Sequence, residues 1–209
     1  MQRLQMIDKH AQPAPQSKKP KAKPVTDVWE SMGLDDQLSE RAVAMRKATA
    51  KMMEENYDKF DKHIDETSFP EWMVDHFRQL KINGLQIKGY GSAGLTTVES
   101  GALCYELAKR DGSLATFFLV HNAIGMAVIN ALGDEEQKQR FLTPGMNFDK
   151  IFCFGLTEPE FGSDASGLRT TATKVEGGYL LNGRKRWIGN GTFGDVIVWA
   201  RNPADGNRV

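Results

Sequence analysis

The apolar positions of this chain change their spacing once, near residue 150, and the change predicts two halves of different build. From Asp35 onward Leu38, Ala42, Met45, Thr49, Met52, Asn56 and Phe60 recur by threes and fours. That is one mostly apolar stripe on a charged rod, the period of an amphipathic helix. Pro70 suits the first turn of a second helix, with Ser68 as its cap, Trp72, Met73, Phe77 and Leu80 as its buried side and Gly84 as its end. Thr96 and Glu99 have the spacing of a capping box, opening a helix through Lys109. Residues 114–132 are nineteen in a row without a formal charge, near the length that spans a bilayer. His121, Asn122, Gly125 and Asn130 interrupt the run, and no basic cluster flanks it, so it reads as a helix buried at the centre of a helical domain. Asp134 then caps a short helix over residues 135–141, and Thr143-Pro144-Gly145 closes the helical half.

Residues 151–201 read as strands separated by turns. A short apolar run, 151–156, stops at Thr157-Glu158-Pro159, because Pro159 has no N–H and biases Glu158 toward extended backbone. Gly162, Ser163, Asp164 and Ser166 make a loop of 159–167. Residues 168–175 and 179–181 flank Gly177-Gly178 as a hairpin, and Asn182-Gly183 signals a second. Residues 184–188 and 195–200 supply two more strands. The turn lengths predict an antiparallel sheet. The fold class is therefore α+β, an all-α helical bundle followed by an antiparallel β domain.

Composition narrows the chemistry. With 27 basic and 27 acidic residues among 209, the net charge is zero, which gives no reason to expect nucleic acid or an anionic membrane as partner. Cys104 and Cys153 lie far apart in apolar surroundings and read as reduced core residues. The four histidines show no zinc spacing, so no metal is expected. Residues 88–94 (KGYGSAG) lack the preceding strand and following helix of a phosphate-binding loop and read as a packing turn. Residues 11–25 hold Pro13, Pro15, Pro20 and Pro24 among polar residues, a solvated linker. Lys9, Lys18 and Lys19 interrupt any secretory apolar core at the N-terminus.

Three stretches carry a resemblance. Leu156-Thr157-Glu158-Pro159 with Gly162-Ser163-Asp164, then Asn182-Gly183-Arg184-Lys185-Arg186-Trp187-Ile188, then Asn190, are similar in order and spacing to the signature of acyl-CoA dehydrogenases and acyl-CoA oxidases. The similarity looks closest to the branch of glutaryl-CoA dehydrogenase and the plant-type peroxisomal short-chain acyl-CoA oxidase. It implies FAD as cofactor and acyl-CoA as substrate, oxidised to trans-2-enoyl-CoA. It implies that Phe154, Gly155, Leu156 and Thr157 meet the flavin's pyrimidine side and that Trp187, Ile188 and Gly189 cover its ring. Gly162 and Ser163 would sit at the pyrophosphate and pantetheine, with Ser163 and Thr116 toward substrate. It also implies a homotetramer.

Three departures qualify the resemblance. Gly189 stands where the family has a threonine beside flavin N5, which leaves space that would ease oxygen access. Ala115 stands where glutaryl-CoA dehydrogenase carries an arginine, so an uncharged short acyl chain is expected rather than a dicarboxylate. No carboxylate matches the family's catalytic glutamate, which belongs to a C-terminal helical domain, so the expected catalytic residues in this chain are none and the β domain is expected to be truncated. The expected division is 1–34 as targeting segment and linker, 35–150 as helical domain and 151–209 as β domain. Arg3-Leu4, five residues, then His10-Ala11 resembles an N-terminal peroxisomal signal, implying an import receptor as partner and oxygen as electron acceptor; otherwise a mitochondrial site is expected. The competing expectations are a dehydrogenase that passes electrons to a partner flavoprotein, a non-catalytic acyl-CoA-binding homologue, and a purely structural helical protein.

Overall fold

A computed structural model describes residues 27–209. The targeting-like segment and the proline-rich linker lie outside the described residues. The chain divides into two compact units, Met1–Gln37 and Leu38–Val209. In the first, Asp27 caps the short helix α1 (Val28–Ser31) by accepting from Trp29 N–H at 2.9 Å, and a 3-10 turn, Leu34–Gln37, follows.

In the second unit the expected stripe forms, split at Asn56 into α2 (Glu40–Glu55) and α3 (Tyr57–Asp65). Ala42, Thr49, Met52, Asn56 and Phe60 are buried along it. The pattern did not single out Arg46, which is also fully buried and pairs at 2.6 Å with Glu106 on α5 (Thr97–Ala108). The capping box at the start of α5 is present, and its glutamate does more than close one helix. Glu99 Oε2 accepts from Thr96 N–H (2.8 Å), while Oε1 accepts from the N–H (3.2 Å) and hydroxyl (2.5 Å) of Ser39, the cap of α2. One carboxylate thus fixes two helix starts against each other. The Ser39 hydroxyl bond and the Thr96 N–H hold it at about 2.

Helix α4 (Trp72–Leu80) starts two residues after Pro70, and Ser68 does not cap it; the Ser68 hydroxyl instead meets His63 Nδ1 at 2.8 Å. It ends at Lys81, left-handed at φ 52°, rather than at Gly84. Gly84 (φ +80°) serves packing, since a Cβ there would sit 2.5 Å from Met146 Sδ. The uncharged run forms one helix from Gly112 to Leu132, long and apolar enough to cross a membrane. It is α6 (Gly112–Leu119), a π-helical stretch (Val120–Met126) and α7 (Ala127–Leu132). Phe117, Phe118 and Met126 are packed in the core, and its buried polar residues, His121 and Asn122, are hydrogen-bonded. Helix α8 (Glu135–Met146) has the expected Asp134 cap and runs through Pro144 instead of closing before it.

The strand half departs most from expectation. Strand β1 (Phe152–Gly155) pairs with β4 (Asp195–Val198) in parallel, whereas β2 (Thr171–Val175) and β3 (Gly178–Asn182) form the expected antiparallel hairpin. Turn length constrains only strands adjacent in sequence, and β1 and β4 are separated by a loop, the hairpin and a further turn. Residues 184–188 are not a strand. Trp187 is left-handed (φ 60°), which no ladder accommodates. Gly183 does not turn a second hairpin but lies tight on Thr170, where a Cβ would come within 2.2 Å of Oγ1. The π stretch packs across β1 and carries it on the helical core. Gly125 is the close point, with a Cβ position 2.7 Å from Phe152 Cβ.

Candidate functional site

The two edges of β1 have different partners. Asp195 N–H donates to Ile151 C=O (2.7 Å) and Trp199 N–H to Gly155 C=O (3.0 Å), so the odd-numbered residues face β4. Successive peptides of a parallel strand point to opposite sides, so Phe152, Phe154 and Leu156 face the other edge. There Phe152 N–H donates to His121 Nδ1 (3.1 Å) and Phe152 C=O accepts from Asn190 Nδ2 (3.2 Å). Leu156 C=O accepts from Lys185 Nζ (2.9 Å). Between these points the peptide of Phe154, and beyond them the N–H and hydroxyl of Thr157, take no partner among the described residues. Of the expected cofactor contacts, Phe154 is therefore open on this edge, Thr157 presents its unpaired N–H and hydroxyl just past the strand end, and Gly155 is spent on β4.

Glu158 holds the end of β1 to two other segments. Its buried carboxylate accepts from Arg169 N–H (2.7 Å), Thr170 N–H (2.9 Å), the Thr170 hydroxyl (2.5 Å) and Lys185 Nζ (2.9 Å). Burial by itself raises this carboxyl, but the four donors outweigh it and hold it at about 2. Arg186 N–H also donates to Thr157 C=O (2.9 Å), which lays residues 184–188 alongside 156–158. This explains why that segment is not a strand: it is held by the Lys185 side chain and a single backbone bond, not by a ladder.

The turn that follows displays Trp187 to the outside. Its ring is 78 % exposed, covered on one side by the Arg186 guanidinium 4.3 Å from the ring centre. A bulky residue at φ 60° costs ~1–3 kcal/mol and persists only where its surroundings impose it. Ile188 is half-buried. Gly189 faces open space, and a Cβ there would make ordinary contact with Val120 Cγ2 at 3.5 Å. Asn190, also left-handed (φ 64°), ties the turn to Phe152 C=O and to Phe117 C=O on α6 (3.3 Å).

Gly162 and Ser163 lie exposed on the loop, with nothing within 4 Å of a Cβ built on Gly162. Arg201 braces the far end of that loop, donating from Nε to Leu168 C=O (2.6 Å) and from Nη2 to Ser166 C=O. Thr116 is exposed on α6, one turn before Val120, and its hydroxyl donates to Gly112 C=O (2.8 Å). The structure thus joins Phe154–Thr157 to the Trp187 turn through named bonds, but no hydrogen bond among the described residues joins Thr116 to Ser163.

Behind this face sits His121. Phe152 N–H donates to Nδ1, so the ring is neutral with its proton on Nε2, which donates to Gly145 C=O (3.0 Å). Burial drives its pKa down to about 4, against the opposing bond to Gly145. The residues that place the face, namely His121, Lys185, Asn190 and Arg201, were not singled out for this role from sequence. All act through backbone partners 24 to 73 positions away, a separation that leaves no periodic trace. The one legible hint was Glu158, a charged residue closing an apolar strand.

Comparison with known proteins agrees with this layout. A family model described as acyl-CoA dehydrogenase, N-terminal domain, matches residues 39–148, and one described as acyl-CoA dehydrogenase, middle domain, matches residues 153–208. Among curated proteins, a mitochondrial isobutyryl-CoA dehydrogenase of Dictyostelium discoideum is 34% identical over 84% of this chain and 42% of its own length. A short-chain-specific acyl-CoA dehydrogenase of Clostridium acetobutylicum is 32% identical over 79% of this chain and 44% of its own. A glutaryl-CoA dehydrogenase of Mycobacterium smegmatis, solved in complex with FADH2, superposes with a TM-score of 0.78 at 32% identity, covering 83% of this chain and 46% of that one. The chain spans less than half the length of each of these relatives. With both family models matched in order across nearly all of the second unit, the chain belongs to the acyl-CoA dehydrogenase family.

Proposed function

We propose that the chain forms the flavin-binding face of an FAD-dependent enzyme that removes one hydrogen each from the α and β carbons of a short-chain acyl-CoA, leaving trans-2-enoyl-CoA. The observation that carries this reading is the open edge of Phe154 and Thr157 beside an exposed, left-handed Trp187. A planar heterocycle with hydrogen-bonding groups on one rim fits such a face, with the indole against its ring and unpaired peptide groups at the rim. FAD, when bound, supplies the two-electron acceptor for the β-hydrogen. Phe154, Gly155, Leu156 and Thr157 would hold its pyrimidine side, while Trp187, Ile188 and Gly189 would exclude water from the ring. Gly162 and Ser163 would meet the pyrophosphate, and Ser163 and Thr116 the acyl-CoA. The domain reading that goes with it is 1–34, 35–150 and 151–209, in a homotetramer.

The α-proton needs a carboxylate with free lone pairs and a pKa near working pH. Glu158 has neither, with four donors on it and a pKa of about 2, so the base is a different residue. Ala115 is 4% exposed on α6 and has nothing to offer a second carboxylate, which favours an uncharged acyl group.

For the electron acceptor we infer dioxygen. The support is Gly189: its backbone has room for a side chain, yet none is present, leaving the space beside Val120 open. The peroxisome-like N-terminal segment supports the same acceptor, with a peroxisomal import receptor as partner. The second reading, electron transfer to a partner flavoprotein in a mitochondrion, is favoured by relatives named as dehydrogenases, one of them mitochondrial. The test is anaerobic addition of butyryl-CoA to the flavin-loaded protein, followed by air. Bleaching and then rapid recovery with peroxide formed supports the oxidase, and Gly189→Thr should slow that recovery without slowing bleaching. Bleaching that persists in air sinks the oxidase reading, and a protein that takes up no FAD sinks the flavin-dependent reading itself.

A further inference from the structure

We propose that Asn190 is a positioning residue that sets where Trp187 and Gly189 stand, by clamping their turn to the point where α6 passes into π winding. Widening a helix from α to π register disturbs the i→i−4 ladder and leaves carbonyls in need of donors. At this junction two side-chain amides add donors, Phe117 C=O also accepting from Val120 N–H within the helix. Asn122 Nδ2 donates to Phe118 C=O (2.9 Å) and Asn190 Nδ2 to Phe117 C=O (3.3 Å). Asn122 is local to the helix and reaches across to Gly84 N–H with its oxygen (2.6 Å). Asn190 arrives from 73 residues away and bridges the same helix to Phe152 C=O of β1.

The remaining bonds of the turn run through Asn190 as well. Its own carbonyl accepts from Phe193 N–H (3.2 Å) and Gly194 N–H (2.8 Å), while Ile188 C=O accepts from Gly191 N–H (3.2 Å). The turn is therefore closed on itself, and among the bonds of residues 187–191 the Asn190 amide alone connects it to α6. The clamp holds Gly189 where a Cβ built on it would stand 3.5 Å from Cγ2 of Val120, the first residue of the π stretch. Among the described residues Trp187 has no hydrogen bond from its ring, which meets the neighbouring Arg186 guanidinium and is placed by the backbone of the turn. A change in α6, the helix that carries Thr116, would reach the indole by this route.

The inference rests on the proposed flavin face for its consequence but not for its geometry, and the test separates the two. The protein is grown on fluorotryptophan, so that its four indoles report separately by fluorine NMR, with Trp187 assigned through Trp187→Phe. Asn190→Gly keeps the left-handed backbone and removes the amide; Asn190→Asp keeps the shape and replaces the donor with a charge facing two carbonyls. Both should move the Trp187 resonance while leaving those of Trp29 and Trp72 in place. Both should also weaken FAD binding about tenfold, the loss of two hydrogen bonds at the low end of their range. A Trp187 resonance unmoved in Asn190→Gly overturns the clamp, as does equal movement of all resonances, which marks general loosening. A moved Trp187 with unchanged FAD affinity overturns the positioning role. If the parent protein takes no FAD, the functional reading fails, and the resonance alone decides the clamp.

Discussion

Protonating His121 should cost the second unit more stability between pH 6.5 and 4 than any other single titration described above. The imidazole is fully buried between Phe148 and Phe152, with ring centres 4.6 and 5.7 Å away. Its Nδ1 accepts from Phe152 N–H, so an added proton would set donor against donor. The folded pKa of about 4 lies below the ordinary histidine value of 6.5, so the unfolded chain binds the proton first. The stabilisation is therefore complete above pH 6.5 and is lost as pH falls toward 4. The full difference is ~3 kcal/mol, and ~2 kcal/mol of it is gone by about pH 5. The assay is urea unfolding at a series of pH values, comparing the parent with His121→Gln. The variant should be less stable at neutral pH but flatter with pH in this window. The carboxylates held at about 2, Glu99 and Glu158, lose their contribution only as pH falls below 4.5, so they do not mask the effect. Equal slopes for parent and variant between pH 6.5 and 4.5 would refute the reasoning.

Three other perturbations follow from the packing. Glu106→Ala removes the carboxylate that faces the buried Arg46 guanidinium and should cost ~3–5 kcal/mol in denaturant unfolding, whereas Arg46→Met with Glu106→Leu should recover most of it. Gly125→Ala should destabilise by ~1–3 kcal/mol although alanine is the better helix former, because its Cβ would meet Phe152 Cβ at 2.7 Å; a stabilised variant in thermal melts would contradict the contact. Glu158→Gln keeps the shape but not the charge that Lys185 and two backbone N–H groups answer. It should raise hydrogen exchange at Arg169 and Thr170 and weaken FAD binding, and wild-type protection at both amides would count against the anchor.

What the sequence made legible was local. The stripe from Ala42 to Phe60, the Thr96–Glu99 box, the Asp134 cap and the β2–β3 hairpin are each written within a few residues of themselves. Candidate contacts came from a linear signature; Gly162, Ser163 and Trp187 are exposed in the structure, while Phe154 and Thr157 are half-buried with unpaired backbone N–H groups. The parallel pairing of β1 with β4 was not legible, because 39 residues separate the end of one from the start of the other and no turn rule spans that distance. Nor was the failure of residues 184–188 to form a strand. They follow the turn signal of Asn182-Gly183 as a strand would, but Lys185 and Arg186 find their partners at 156–158 instead. His121 and Asn130 argued against a bilayer as polar interruptions of an apolar run; that His121 joins α8 to β1 needed the fold.

The central claim, that β1 and the Trp187 turn together receive a flavin, is tested most directly by titrating FAD with the purified protein while following flavin fluorescence. The account predicts saturable quenching, strongly reduced in Trp187→Gly at a thermal stability no lower than the parent's, since an exposed indole contributes little to the core and glycine adopts the left-handed backbone without strain. Flavin fluorescence unaffected by excess protein, or quenched equally by the Trp187→Gly variant, would contradict it.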